Sequence, residues 1–75
     1  MSEKVKWIKI DESDKSTWPN DNDMVLLKLR NGRMLDASVN RYQDQFGDNI
    51  YFNDWYGDDV ELYEVEKYVF IKDIE

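Results

Sequence analysis

Apolar residues recur with a period of two in the middle of the chain, at Val25, Leu27 and Leu29. This period is typical of a strand that buries one of its faces. An Asn-Gly dipeptide follows at residues 31–32, and it is a strong hairpin signal because both residue types tolerate a positive φ. The pattern therefore predicts a β-hairpin over residues 24–39.

Shorter β-prone runs flank this hairpin. Residues 5–10, 50–52 and 68–71 are rich in β-branched and aromatic side chains, which is typical of strands. Turn-forming residues separate these runs at 46–49 and 53–59. We expect the alternating apolar residues of the hairpin to share one core with apolar residues of the other strands: Trp7, Leu35, Val69 and Ile71.

The segment 60–67 has two interpretations. Asp58 and Glu61 have the spacing of a capping box, and the apolar residues after them have nearly helical spacing, which favours a short helical turn. The alternative is a strand with Val60, Leu62 and Glu64 on one face. In total the patterns predict a mainly β fold, a small antiparallel curled sheet or open barrel of four or five strands, with one short helix as an option.

The length and composition narrow the class of protein. A chain of 75 residues predicts a single domain, 1–75. It has no Cys and therefore no disulfide and no thiolate site. It also has no His, which is the commonest metal ligand and the usual general base. The EF-hand spacing is absent after Asp48. We therefore expect a non-enzymatic protein with no catalytic residues, no metal site and no cofactor.

The order of motifs over residues 7–42 resembles a known family. Trp7 opens the first strand, Pro19 precedes the Val-Leu strand, and an Asn-Gly turn leads into the return strand, while Trp55 stands in a later acidic loop. This order resembles short phage and prophage proteins catalogued as domain of unknown function 551. The resemblance implies a phage or mobile-element origin and carries no settled activity. The start of the chain shows no signal-peptide pattern, and no apolar run is long enough for a membrane span. We expect a location in the host cytoplasm.

Charge is unevenly distributed along the chain, whose net charge is −7. Residues 1–42 hold eight Lys/Arg and seven Asp/Glu, whereas residues 43–75 hold two Lys/Arg and ten Asp/Glu. The stretch 43–66 has eight acidic residues and no base. A field of one sign argues against direct binding to nucleic acid or to a membrane, and favours a partner protein with a basic surface.

Aromatic rings are interleaved with carboxylates in this acidic stretch, so we expect it to bind the partner. Alternate strand residues lie about 6.6 Å apart, roughly twice the ~3.4 Å axial rise per phosphate of one DNA strand. A rigid sheet of carboxylates can therefore imitate a phosphate row. The predicted contact residues are Asp44, Asp48, Asp54, Trp55, Tyr56, Asp58, Asp59, Glu61, Glu64 and Glu66.

Three functional hypotheses follow from the sequence, and the third, a small ion- or sugar-binding domain, is weakly disfavoured by the missing metal spacing. In the first, a small acidic phage-type inhibitor occupies the basic nucleic-acid-binding groove of a host protein, in the manner of anti-CRISPR and anti-restriction proteins. In the second, the chain is a structural or adaptor module that binds a protein without imitating nucleic acid. The uneven charge is also compatible with self-association as a homodimer.

Overall fold

Six strands form one antiparallel sheet in the computed structural model of the chain, which describes residues 6–74. The strands are β1 (Ile8–Lys9), β2 (Met24–Leu29), β3 (Met34–Asp44), β4 (Gly47–Asp54), β5 (Asp59–Glu61) and β6 (Val65–Phe70). They lie in the order β1-β6-β2-β3-β4-β5, and the sheet does not close into a barrel. Three short 3-10 turns span Lys15–Thr17, Leu62–Glu64 and Ile71–Asp73. The predicted mainly β fold is confirmed, with more strands than expected.

The predicted hairpin over residues 24–39 is formed by β2 and β3, but its turn differs from the expected one. Gly32 N donates to Leu29 O at 2.9 Å, and Leu29 N donates to Arg33 O at 2.8 Å. Three residues therefore form the loop, and the left-handed one is Gly32, at φ 92°. Asn31 does not adopt a positive φ. Its side-chain oxygen instead accepts a hydrogen bond from Arg33 N at 2.9 Å, which stabilises the turn.

The second hairpin is longer than the sequence pattern indicated. The predicted turn at 46–49 is displaced, because β3 continues to Asp44 and β4 begins at Gly47. The Asp44 carboxylate accepts a hydrogen bond from Phe46 N at 2.8 Å and so closes the turn early. The run at residues 50–52 is consequently the centre of an eight-residue strand.

Segment 60–67 combines the two interpretations. It begins in β5, passes through the 3-10 turn Leu62–Glu64 and enters β6. The capping box is present three residues later than predicted, since Glu61 and Glu64 form it and Glu61 N donates to Glu64 Oε2 at 3.0 Å. The expected final strand at 68–71 starts earlier, at Val65, and Ile71 belongs to a 3-10 turn.

The strand register divides the sheet into an inner face, which carries the core, and an outer face. Val25 lies opposite Ala37 and Leu27 lies opposite Tyr68, and all four side chains are buried. Phe52, fully buried on β4, continues the inner face. The predicted core residues Val25, Leu27 and Leu29 are confirmed, and Leu35 packs against them half-buried.

Three other predicted core residues lie elsewhere. Val69 is opposite Leu26 and therefore on the outer face, although it is buried. The half-buried Trp7 has its ring 5.3 Å from Lys67 Nζ, also on the outer face. Ile71 is only half-buried, in a 3-10 turn. Because the side-chain period of a strand is two, a register that differs by one residue moves each side chain to the opposite face. Val5, the first residue of the β-prone run 5–10, lies outside the described residues.

The connection between β1 and β2 covers part of the inner face. Trp18 is buried there, and its indole Nε1 donates to Asp11 O at 3.0 Å. The Tyr68 hydroxyl donates to Thr17 O at 2.7 Å and ties the same connection to β6. Burial, followed by the negative charge of Asp23, raises the pKa of Tyr68 above its ordinary value. A lone Trp in a polar segment is thus explained as the residue that closes the core.

Helices play little part in residues 6–74, where none is long and apolar enough to cross a membrane.

Candidate partner-binding surface

The turn between β4 and β5 has the same geometry as the turn between β2 and β3. Asp54 N donates to Asp58 O at 3.0 Å, and Gly57 N donates to Asp54 O at 3.1 Å. Gly57 has φ 84° and is the left-handed residue of a three-residue loop. Trp55 and Tyr56 occupy the other two loop positions. A short, hydrogen-bonded turn therefore holds two neighbouring aromatic residues at the end of the sheet.

The Asp54 carboxylate fixes this turn from within. Its Oδ1 accepts hydrogen bonds from Tyr56 N at 2.8 Å and from Asp58 N at 3.0 Å. Asp54 therefore positions the turn, in addition to adding negative charge. The rings that it holds point away from the core, since Trp55 is 75% exposed and Tyr56 is 91% exposed. We call residues 54–58 the aromatic tip.

A shallow groove runs beside the aromatic tip on the outer face. It consists of two adjoining cavities of about 310 and 300 Å³, and Asp36, Asp54 and Trp55 line both of them. Met24 lines the first cavity and Met34 lines the second. The groove thus combines apolar and aromatic walls with the outward-facing Asp36, and Arg33 also lines the second cavity. A carboxylate beside an indole ring is a combination that contacts a guanidinium or ammonium side chain.

Asp36 is a member of this surface that the sequence analysis missed. It lies on β3, outside the acidic stretch, and the register pairs it with Leu26. Its outward direction follows from the alternation along β3, where Ala37 and Val39 are buried and Asp36 is exposed. Only the tertiary structure brings it beside the aromatic tip, since 18 positions of chain separate it from Asp54.

Two further acids extend the surface along the exposed strand β5. Asp59 and Glu61 occupy alternate positions of that strand, with buried Val60 between them. Asp59 accepts a hydrogen bond from Asn53 Nδ2 at 2.6 Å, which orients its carboxylate on the outer face. This pair has the strand spacing of the predicted phosphate-like row. With exposed Asp58 it forms an acidic edge next to the aromatic tip.

The remaining predicted residues lie farther from the tip. Asp44 and Asp48 flank the opposite end of β4, and six residues of strand place Asp48 about 20 Å from Asp54. Asp48 Oδ2 lies 3.9 Å from Arg41 Nη2, and these two residues form the one ion pair found among residues 6–74. Glu64 lies next to Glu61 in the 3-10 turn, whereas Glu66 is on β6, where its carbonyl accepts from Ile10 N at 3.4 Å.

The arrangement is suited to binding through charge and aromatic contacts. Six predicted residues are brought together at one end of the sheet: Asp54, Trp55, Tyr56, Asp58, Asp59 and Glu61. The described part of the chain contains no cluster of three acidic side chains able to hold a metal ion.

Comparisons with protein-family models, with curated proteins and with solved structures found no match to this chain. The resemblance of residues 7–42 to the phage family stays a prediction.

Proposed function

We propose that the protein is a non-enzymatic interaction protein that docks the aromatic tip and its acidic edge onto a basic groove of a host nucleic-acid-processing protein. Occupying that groove would exclude nucleic acid, so the consequence is inhibition of a restriction or CRISPR type enzyme in the host cytoplasm. The observation that carries the proposal is the pair of exposed rings, Trp55 and Tyr56, on a turn fixed by hydrogen bonds and surrounded by carboxylates.

The two rings supply the short-range affinity in this proposal. Trp and Tyr are the residues most often found to dominate binding energy, and they cost little entropy when they are already held in place. Trp55 also forms a wall of the groove that contains Asp36 and Asp54. An arginine of the partner would stack on the indole and contact the outward-facing Asp36 carboxylate at the same time.

The acidic edge supplies long-range attraction and competition with nucleic acid. Asp58, Asp59 and Glu61 add three exposed carboxylates within four consecutive positions of the chain. Negative charge on one side of a small protein accelerates association with a basic groove, and the acceleration weakens as salt is added. The same lysines and arginines that neutralise phosphates would be occupied by these carboxylates.

A second candidate is an adaptor module without nucleic-acid mimicry. It is favoured by the placement of Asp44 and Asp48 at the far end of β4, because this placement divides the predicted acidic row between two ends of the sheet. An adaptor would use the aromatic tip alone. Its binding would depend on Trp55 and Tyr56 and would be insensitive to nucleic acid.

The experiment begins with capture of the partner from host lysate and its purification. A double variant, Trp55→Ala with Tyr56→Ala, should weaken binding by roughly a hundredfold, as expected when two aromatic anchors are truncated. Phe46→Ala is the matched control, since Phe46 is 85% exposed in the turn at the opposite end of β4. The control should bind like wild type.

Competition with nucleic acid then separates the two candidates. If the protein is an inhibitor, DNA or RNA displaces it from the partner, and charge reversal at Asp58, Asp59 and Glu61 weakens binding more at low salt than at high salt. If nucleic acid does not compete and charge reversal has no effect, the adaptor function is correct. If the double aromatic variant binds as well as wild type, both proposals are wrong.

A further inference from the structure

The outer face carries a row of three lysines on neighbouring strands. Lys67 on β6 lies directly opposite Lys9 on β1 and directly opposite Lys28 on β2. Like charges at directly opposed positions of a sheet are unfavourable within one molecule. None of the three has a carboxylate within 4.0 Å among residues 6–74. The Trp7 ring lies 5.3 Å from Lys67 Nζ and partly covers this lysine, whereas Lys9 is exposed. The row as a whole is complementary to a negative surface.

The other half of the outer face has the opposite charge. Asp36 on β3 and both Asp59 and Glu61 on β5 point to this face, and all three are exposed. The outward positions of β4 between them are held by uncharged residues, including Asn53. Basic strands β1, β6 and β2 thus adjoin acidic strands β3 to β5 on a single surface.

Apolar side chains lie at the boundary between the two halves. Leu26 is half-buried at the centre of β2, and Met24 and Met34 are 44% and 51% exposed on either side of it. Met24 is opposite Ser38 and Met34 is opposite Lys28, which places both on the outer face. A basic half, an apolar centre and an acidic half form a surface that is complementary to itself.

We infer that this outer face is the interface of a homodimer, in which each copy places its lysine row on the acidic half of the other. The two-fold axis would lie in the interface plane and cross β2 and β3 diagonally near Leu26. A two-fold interface uses the same patch twice, so every contact is formed in two copies. The dimer would use Asp36, Asp59 and Glu61, which also belong to the proposed partner surface, so the dimer and the partner would compete for these carboxylates. The lysines take no part in the aromatic tip, so lysine variants test the dimer separately from the proposed function.

The strand register allows the opposed pairs to be named. With strands about 4.8 Å apart and alternate residues about 6.6 Å apart, this axis places Lys28 over Asp36 of the second copy. It directs Lys67 toward Asp59 and Lys9 toward Glu61, on the strands farther from the axis. A long lysine side chain adapts to the twist of the sheet. Each methionine would lie near its counterpart of the second copy, on either side of Leu26, where its flexible side chain fills an irregular contact.

Sedimentation equilibrium tests this dimer with the protein alone. Wild type should sediment as a dimer at concentrations of tens of micromolar at about 50 mM salt, and it should dissociate at about 500 mM salt because exposed charge pairs are screened. A double variant, Lys28→Glu with Lys67→Glu, should raise the dimer Kd by at least about tenfold, since it replaces attraction by repulsion in both copies of each pair. Its far-UV spectrum should match wild type.

The matched control changes the same net charge elsewhere. Lys15→Glu with Lys72→Glu alters two exposed lysines outside the outer-face strands and should leave the dimer Kd unchanged. An acidic-half variant, Asp36→Lys with Asp59→Lys, should be monomeric by itself. Mixing it with the Lys28→Glu, Lys67→Glu variant should restore a heterodimer, because the charges are exchanged between the copies.

Three results would overturn the inference. The first is a wild type that stays monomeric up to about 1 mM, a concentration at which even weak specific association is visible. The second is a lysine variant that dimerises like wild type, and the third is a mixture of the lysine and acidic-half variants that stays monomeric. Failure of the proposed function is seen separately. The lysine variant retains the aromatic tip, so it should capture the nucleic-acid-processing partner at least as well as wild type. If the dimer exists and that capture fails for wild type as well, only the proposed function is wrong.

Discussion

Replacement of Gly57 by alanine tests the geometry on which the aromatic tip depends. Gly57 has φ 84°, a conformation that residues with a side chain rarely adopt. A Cβ built at this position meets no atom within 4 Å, so the substitution creates no clash with the rest of the protein. Its cost is therefore confined to the backbone of the turn.

The expected loss of stability follows from the backbone conformation of the turn alone. A left-handed conformation costs an alanine roughly 1–2 kcal/mol. Alanine also restricts the unfolded chain, which offsets about 0.4–1 kcal/mol of this cost. The expected net loss is about 1 kcal/mol, which lowers the Tm of a domain of this size by about 4–8 °C. Asparagine should cost less than alanine, because it tolerates a positive φ, as Asn22 does here at φ 71°.

Thermal and urea unfolding followed by circular dichroism measure the effect. Gly32→Ala is the control for stability, since Gly32 has φ 92° in an equivalent turn and its added Cβ also meets nothing within 4 Å. Both alanine variants should lose similar stability. Only Gly57→Ala should also weaken partner binding, because only that turn carries Trp55 and Tyr56.

Two outcomes would refute the reasoning about the turns. If both alanine variants unfold like wild type, the turns do not require left-handed glycine. If Gly57→Asn is as unstable as Gly57→Ala, the cost has a source other than φ. A Gly57→Ala variant that binds the partner normally would show that the fixed direction of the rings contributes nothing to recognition.

Three further predictions concern the core, the pH dependence of stability and metal binding. Leu27→Ala should lower the free energy of unfolding by roughly 2–5 kcal/mol in urea titration, because the side chain is fully buried, and an unchanged midpoint would exclude Leu27 from the core. Tyr68→Phe removes the hydrogen bond to Thr17 O and should cost about 1 kcal/mol near neutral pH. The folded state raises the pKa of Tyr68, so the unfolded chain releases this proton first and wild type should lose stability above about pH 10. The loss should be smaller in the Phe variant. Equal losses of unfolding free energy in the two proteins, measured by urea titration across that pH range, would contradict this. Sub-millimolar calcium, magnesium or zinc should leave the Tm nearly unchanged, whereas a specific site would add about 2.7 kcal/mol at a hundredfold excess over its Kd.

Local sequence patterns determined much of the secondary structure. The period of two at Val25, Leu27 and Leu29 predicted a strand whose buried residues are the observed ones. The Asn-Gly dipeptide predicted the following hairpin, although only its glycine has the positive φ. These successes share a cause, since the signals depend on neighbours within a few positions of the chain.

Predictions that depended on strand register were less successful. The pattern Tyr-Val-Phe-Ile indicated a strand but could not show which of its alternate residues face inward. The pairing of Tyr68 with Leu27 decided this, and it sent Val69 to the outer face. The register of β6 is further shifted by an irregularity between Lys28 and Leu29, which local periodicity does not reveal.

Some features of the candidate surface were evident from the sequence, and others depend on the tertiary structure. Composition alone identified the acidic stretch and its aromatic residues, because charge and ring content are properties of the sequence. The sheet decided that Asp48 lies about 20 Å from Asp54 along β4, and that Asp36 joins the groove beside Trp55. It also placed Lys9, Lys28 and Lys67 in one row, although they are scattered over the chain. Antiparallel pairing brings distant segments to one face according to hydrogen bonds between strands, and no local pattern records those bonds.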